Sequence, residues 1–224
     1  MKVRLISGMV ALLVSVSAVM AGDEIIAPNA AGTKAILFTF NGLQTLGVGT
    51  FNGGIGGKYF ITAPLAIRAA LQFANSNMVI AANPAAGQTG KDGSSDATTF
   101  GISAGAEYHF LTSRVSPYGG AEVLFASTST DAKSVVNTTA GIQTDTKNSA
   151  IGPAGMTLRV SALLGVEFFL TKELSLGGEY QLGLNMVSHP DEEQTIGPTT
   201  TTTKVGGTTS EAIGTAGLTL SVYF

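Results

Sequence analysis

The chain closes on Gly217-Leu218-Thr219-Leu220-Ser221-Val222-Tyr223-Phe224, and the order of those eight residues decides how the rest is read. Counting back from Phe224 in twos gives Val222, Leu220, Leu218 and Ala216, all apolar. Between them stand Tyr223, Ser221, Thr219, Gly217 and Thr215, mostly small or polar. A period of two is the signature of a strand with one apolar face. A strand that runs to the last residue and ends on an aromatic needs a neighbour on its open edge. The first strand of the same chain is the natural candidate. We therefore take Leu218, Leu220, Val222 and Phe224 as candidate residues for barrel closure and assembly.

The other end fits an exported chain. Met1-Lys2-Val3-Arg4 is basic, Leu5 to Val19 is apolar with a few Ser and Gly, and Val19-Met20-Ala21 precedes Gly22 as a cleavage site. This pattern reads as a signal peptide over 1–21. The apolar run is short for a membrane helix, which needs ~20 residues, and Asp23-Glu24 follows in place of a basic stop-transfer flank. The expected organisation is a leader at 1–21, a periplasmic lead-in at 22–32 and one β-domain at 33–224.

Composition narrows the class. Only 12% of the 224 residues are charged, against ~25% in soluble domains, and the apolar residues are scattered in alternation rather than collected in blocks. No later apolar run is long enough for a helical span, so a membrane crossing must use strands. Cys is absent, which leaves backbone hydrogen bonding and burial to hold an exported chain together. A net charge of -3 excludes a general nucleic-acid-binding character.

Three segments repeat one another: Gly57-Lys58-Tyr59-Phe60-Ile61-Thr62, Ala106-Glu107-Tyr108-His109-Phe110-Leu111-Thr112 and Val166-Glu167-Phe168-Phe169-Leu170-Thr171. Each has a charge, aromatics and an aliphatic-Thr pair, and each is followed by a short link and a new alternating run. They predict three tight hairpins at one end. The connections Asn75 to Thr98, Ser127 to Met156 and Val187 to Glu211 are long and rich in Thr, Ser, Asn and Gly, and are expected as polar loops at the other end. Short turns alternating with long loops is the asymmetry of transmembrane barrels. The expected fold is all-β, an up-and-down antiparallel transmembrane β-barrel of about eight strands near 34–43, 50–60, 65–74, 99–110, 116–127, 157–169, 174–186 and 212–224. A hairpin hidden in Ser127 to Met156 would raise the count to ten.

Alternation does not itself say which face is inside. Leu65, Ile67, Ala69, Leu71 and Phe73 oppose Ala66, Arg68, Ala70 and Gln72. The polar faces are rich in Gly, Ser and Ala, which suits a narrow lumen. Aromatics gather at strand ends, with Tyr59, Tyr108, Phe110, Phe168 and Phe224 at the short-turn end and Phe40, Phe51, Phe73, Phe100 and Phe125 at the other. Two such rings suit interfacial girdles, so the apolar face is expected to meet lipid. Lys58, Arg68, Glu107, Glu122, Arg159, Glu167 and Glu179 then all point inward as a polar network of mixed sign. Opposite charges in a lumen narrow enough to be filled by side chains are expected to pair. The same groups could instead line a narrow pore.

Catalytic candidates are few. The two His are His109, inward at the short-turn end, and His189, in the last long connection beside Pro190. We expect no catalytic residue, no cofactor and no metal site. Gly53-Gly54-Ile55-Gly56-Gly57 opens no helix and is not a phosphate loop.

The chain resembles the family of small bacterial outer-membrane β-barrel proteins, the eight-stranded OmpA/OmpX/OmpW-type, porin-like group. The resemblance rests on the leader, on Ser116-Pro117-Tyr118-Gly119-Gly120-Ala121-Glu122, Gly165-Val166-Glu167-Phe168-Phe169-Leu170-Thr171 and Leu174-Ser175-Leu176-Gly177-Gly178-Glu179-Tyr180, and on Phe224. Together they cover most of the mature chain. The resemblance implies residence in the outer membrane. It is specific for architecture and not for activity; the expected role is in envelope integrity or surface interaction with a largely plugged lumen, or alternatively as a narrow conduit for small or hydrophobic solutes. Lipid modification, known in the same architectural class, is the remaining reading. The implied partners are outer-membrane lipids, the barrel-assembly machinery and an extracellular ligand on the long loops. No nucleic acid is implied, and a monomer is expected. A peptidoglycan-tethering role does not carry over, since no domain follows the last strand.

Overall fold

The computed structural model describes residues 28–41, 50–148 and 154–224. The leader at 1–21, most of the lead-in and the first outer connection at 43–49 lie outside the described residues. Eleven strands occur among those described: β1 (Lys34–Asn41), β2 (Thr50–Phe60), β3 (Leu65–Ile80), β4 (Gly93–His109), β5 (Val115–Lys133), β6 (Thr144–Lys147), β7 (Gly155–Phe169), β8 (Leu174–Ser188), β9 (Glu192–Ile196), β10 (Thr199–Thr203) and β11 (Thr208–Tyr223). Eight of them close a ring in the order β1, β2, β3, β4, β5, β7, β8, β11, all pairs antiparallel. The last strand meets the first from Ala35↔Tyr223 to Asn41↔Gly217. A further backbone pair extends the seam, with the Lys34 N–H donating to the Phe224 carbonyl at 3.3 Å and the Phe224 N–H to the Lys34 carbonyl at 2.9 Å. Along 217–223 the seam leaves no open edge, which is the condition for backbone to cross lipid.

The short turns at 61–64, 110–114 and 170–173 sit at one end. They are closed by backbone bonds such as Ile61 N–H to Leu65 O and Leu170 N–H to Leu174 O, both 2.9 Å. In barrels of this class the short turns face the periplasm.

Side-chain parity turns the apolar face outward. Ile67, Leu71 and Phe73 on β3, Leu158, Val160 and Leu164 on β7, and Leu176, Leu182 and Leu184 on β8 are all exposed on the outer wall. A soluble barrel would bury this face, since its removal from water is the main favourable term of folding. Here Leu182 is 59% and Leu164 62% exposed, and lipid is the solvent that suits them.

The long connections differ from the polar loops expected from composition. β3 runs on to Ile80, β4 begins at Gly93, β5 extends to Lys133 and β11 starts at Thr208, so much of each expected loop is paired strand. The additional strands β6, β9 and β10 continue the sheet outward from β5 in the order β5-β6-β9-β10, outside the ring. The physical reason is plain. Above the membrane a strand needs backbone partners and β-branched residues, not apolar ones, and the Thr- and Ser-rich stretches supply them. The barrel has eight strands, and the extra ones form a projecting ribbon.

Candidate functional site: a charged belt across the lumen

Inward parity on seven ring strands brings the polar side chains into one column. Nearest the short turns lies an aromatic floor. Phe60 and Phe169 are 0% exposed, and Tyr223, Tyr118 and His109 are buried beside them. Ring centroids lie 5.2 Å apart for Phe60–His109 and His109–Tyr118, 5.4 Å for Phe169–Tyr223 and 6.4 Å for Phe60–Tyr223. Such contacts fall within the favourable range for aromatic packing. Ala35 and Ala66 complete this buried cluster.

Two cations lie above the floor, and each reaches across the barrel. The Lys58 ammonium on β2 pairs with Glu107 on β4 and with Glu167 Oε2 on β7 at 3.2 Å. The Arg68 guanidinium on β3 donates from Nε to Glu122 Oε2 on β5 at 2.9 Å, and its Nη2 stands 2.8 Å from the same oxygen. It also forms a two-point fork on Glu179 of β8, at 2.5 and 2.9 Å, and reaches Glu107 Oε2 at 3.4 Å. Around the ring, β2 and β7 are four places apart, and so are β3 and β8. Lys58–Glu167 and Arg68–Glu179 therefore join opposite walls. They are crossbars rather than neighbouring-strand pairs.

Neutral donors complete the carboxylates. The Tyr223 hydroxyl donates to Glu167 Oε1 at 2.6 Å, and the Ser175 hydroxyl donates to the same oxygen. The Tyr118 hydroxyl donates to Glu179 Oε2 at 2.8 Å, and the Gln181 amide to Oε1 at 2.8 Å. The His109 ring bridges Glu107 Oε1 at 3.0 Å and Ser116 Oγ at 2.7 Å, and the Ser116 hydroxyl donates to the Leu111 carbonyl. Charges out of water cost several kcal/mol each unless both paired and hydrogen-bonded, and this belt meets both conditions. Gly165 makes room for one of its members. A Cβ there would lie 2.3 Å from Tyr118 Cζ, so the tyrosine ring occupies the space that any other residue would fill.

Toward the outer rim, Arg159 Nε donates to Asn185 Oδ1 at 2.7 Å, and the Asn185 amide to Glu211 Oε1 at 3.4 Å. Against Arg68 is a chamber of about 30 Å³, lined among others by Gln72, Ser103, Gln181 and Thr215. Its size is that of two or three waters, which need ~10–15 Å³ each. The Ser103 and Thr215 hydroxyls have no protein partner there.

The seven charged positions singled out in the sequence lie in this column. Lys58, Arg68, Glu107, Glu122 and Glu167 are buried, and Glu179 and Arg159 partly so. Tyr118, Tyr223, Phe60, Phe169 and Ser175 belong to the same lumen and were not among them. The available signal was parity: Tyr223 is one residue from outward Phe224, and Phe169 one from Phe168. Tyr59, Tyr108 and Phe110 stand exposed on the outer wall, the last two with rings 5.9 Å apart. Phe168 is half-buried beneath the Arg114 guanidinium at 5.0 Å. Leu218 and Val222 are exposed on the outer wall, with Leu220 between them, opposite Phe40, Ile36 and Phe38 of β1; Phe224 is 73% exposed. The side chain of Phe51 is outside those described.

Glu107, His109 and Glu167 offer ligand atoms within 4.8 Å of one another. The Lys58 ammonium already sits on both carboxylates, so a fixed cation takes the place a metal would fill. His189 lies at the outer rim, its ring nitrogens 3.2 Å from the Ala154 carbonyl and 3.1 Å from Thr209 Oγ1. These contacts tie the start of β7 to β11.

Residues 9–208 match the sequence family described as "Outer membrane protein beta-barrel domain". No curated protein matches the chain. Among solved structures, Neisserial surface protein A is similar at 18% identity, over 86% of this chain and 96% of that one, with a TM-score of 0.45. A major outer membrane protein from Thermus thermophilus is similar at 14% identity, over 86% and 99%, with a TM-score of 0.46. The outer membrane protein OprG from Pseudomonas aeruginosa is similar at 11% identity, over 87% and 97%, with a TM-score of 0.44.

Proposed function

The chain belongs to the outer-membrane β-barrel domain family and resides in the bacterial outer membrane; from that premise we propose that it is a non-enzymatic envelope protein whose lumen is closed. One observation carries this reading. Lys58–Glu167 and Arg68–Glu179 connect opposite walls of the ring, directly above a floor of packed aromatics. A conduit would need both layers to part. Parting them would leave carboxylates and cations unpaired in a low-dielectric space, at a cost of several kcal/mol per ion. A protein built this way contributes a rigid wall element and a surface ribbon rather than a path for solutes.

The ribbon supports a surface-interaction role for the same protein. β10 is exposed throughout and pairs on one side with β9, so among the described residues its other edge is open. Open edges of this kind accept extended partners.

The test uses cells lacking the protein. The reading expects greater entry of a hydrophobic dye and greater detergent sensitivity, both corrected by the wild-type barrel, with uptake of small polar solutes unchanged. Loss of solute uptake with an intact permeability barrier would favour the conduit instead.

A further inference from the structure

The belt does not balance its own charge. Lys58 and Arg68 between them hold four carboxylates, Glu107, Glu167, Glu122 and Glu179, which leaves two negative charges over. At the rim Arg159 and Glu211 offset each other through Asn185. At the floor the His109 ring stands 3.0 Å from Glu107 Oε1 and can carry a proton against one of the two. The other belongs to Glu122 and Glu179, each of which has its only ion pair among the described residues with Arg68. An uncompensated charge in a low-dielectric lumen is costly.

That surplus adjoins the chamber against Arg68, whose wall carries both carboxylates and a set of unspent oxygens. Ser103 is 5% exposed, yet its hydroxyl on the chamber wall has no protein partner among the described residues, and neither has the Thr215 hydroxyl. Gln181 spends its amide nitrogen on Glu179, which leaves its carbonyl oxygen over. Glu122 meets Arg68 through Oε2, which leaves its Oε1 over. Arg68 lines the same chamber but brings no spare donor, because Nε, Nη1 and Nη2 all face carboxylate oxygens. An anion entering here would meet two carboxylates and no free cation.

We propose that the chamber binds one small monovalent cation, of the size and charge of sodium, between Glu122 and the hydroxyls of Ser103 and Thr215. Hard cations take oxygen ligands, and the charge to be offset is a single one. A divalent ion would leave an excess of the opposite sign. The chamber admits the ion with a water or two beside it. Bound there, the ion neutralises the Arg68 layer and belongs to the folded barrel alone, since unfolding disperses its ligands.

Urea unfolding of the vesicle-inserted barrel tests the assignment, with sodium chloride exchanged for choline chloride at constant total salt. Choline is too large for the chamber. Raising sodium about a hundredfold is expected to lower the wild-type unfolding constant about tenfold or more, because the ion binds only the folded state. The Ser103→Ala/Thr215→Val variant removes two hydroxyls that bond no protein group, so its ring should close by unheated gel mobility, and its response to sodium should fall to about twofold or less. If that variant does not close, Glu122→Gln, which cancels the surplus charge, replaces it with the same expectation. A wild-type barrel that ignores sodium overturns the proposal and leaves the chamber to water. A response that persists undiminished in the variant also overturns it, since sodium then acts elsewhere on the barrel.

Discussion

Replacing Arg68 by Met separates a dry plug from a wet pore, because the same ion pairs have very different worth in the two. The Arg68 guanidinium contacts Glu122, Glu179 and Glu107. Met keeps an unbranched apolar stem and removes the charge. Glu107 retains Lys58 and His109, and Glu179 retains Tyr118 and Gln181, but neither Glu122 nor Glu179 keeps a formal counter-charge of this strength. Breaking a buried pair by removing one partner costs ~3–5 kcal/mol. A solvated pair in a hydrated channel is worth ~0–1 kcal/mol. We predict that Arg68→Met lowers unfolding free energy by ~4 kcal/mol, about a thousandfold in the equilibrium constant. Urea unfolding of vesicle-inserted barrel measures it. The chain has no Trp, so circular dichroism and unheated gel mobility serve as probes. Adding Glu179→Gln should recover part of the loss, with a coupling of ~0.5–3 kcal/mol. A cost below ~1 kcal/mol, with strictly additive effects of the two substitutions, would refute the reasoning and point to a hydrated lumen.

Three further outcomes follow from the same geometry. Tyr223→Phe removes a hydroxyl that donates to buried Glu167 and should destabilise the barrel by ~1.5–3 kcal/mol in the same unfolding assay. Gly165→Ala places a Cβ within 2.3 Å of Tyr118; the ring must shift off Glu179, and overpacking of this kind costs ~1–3 kcal/mol, less if Tyr118→Phe is introduced with it. Deleting 192–203, which removes β9 and β10, should leave the heat resistance of the ring unchanged, since among the described residues those strands pair as strands only with each other and with β6; a barrel that no longer closes would show that the ribbon supports the ring.

Alternation made the ring legible. The run from Leu65 to Phe73 alternates without a break, and the observed outward face is the one it reads as apolar. The repeated segments ending at Thr62, Thr112 and Thr171 marked the short turns. What lay beyond reach was of two kinds. The strand extensions above the membrane are polar, so a reading that follows apolarity stops near Ala74 and Ser127 although pairing continues to Ile80 and Lys133. The crossbars depend on which strands face each other across a closed ring and on their relative stagger, and no local pattern encodes either. Lys58 and Glu167 are 109 residues apart, and their inward parity says only that each enters the lumen. Tyr118 and Tyr223 were hidden for a related reason. Aromatics near strand ends read as interfacial anchors, yet a single step in parity moves a ring from the lipid face to the floor of the lumen.

Planar-bilayer recording tests the closed lumen most directly. The wild-type barrel should give no stepped conductance under moderate voltage, and a variant that breaks both layers, Lys58→Met/Arg68→Met with Phe60→Ala/Phe169→Ala, or Glu167→Gln/Glu179→Gln with the same two floor substitutions if the first does not close, should show current where the wild type shows none. Stable conductance steps from the wild type, equal in size to those of the variants, would contradict the crossbars as a seal.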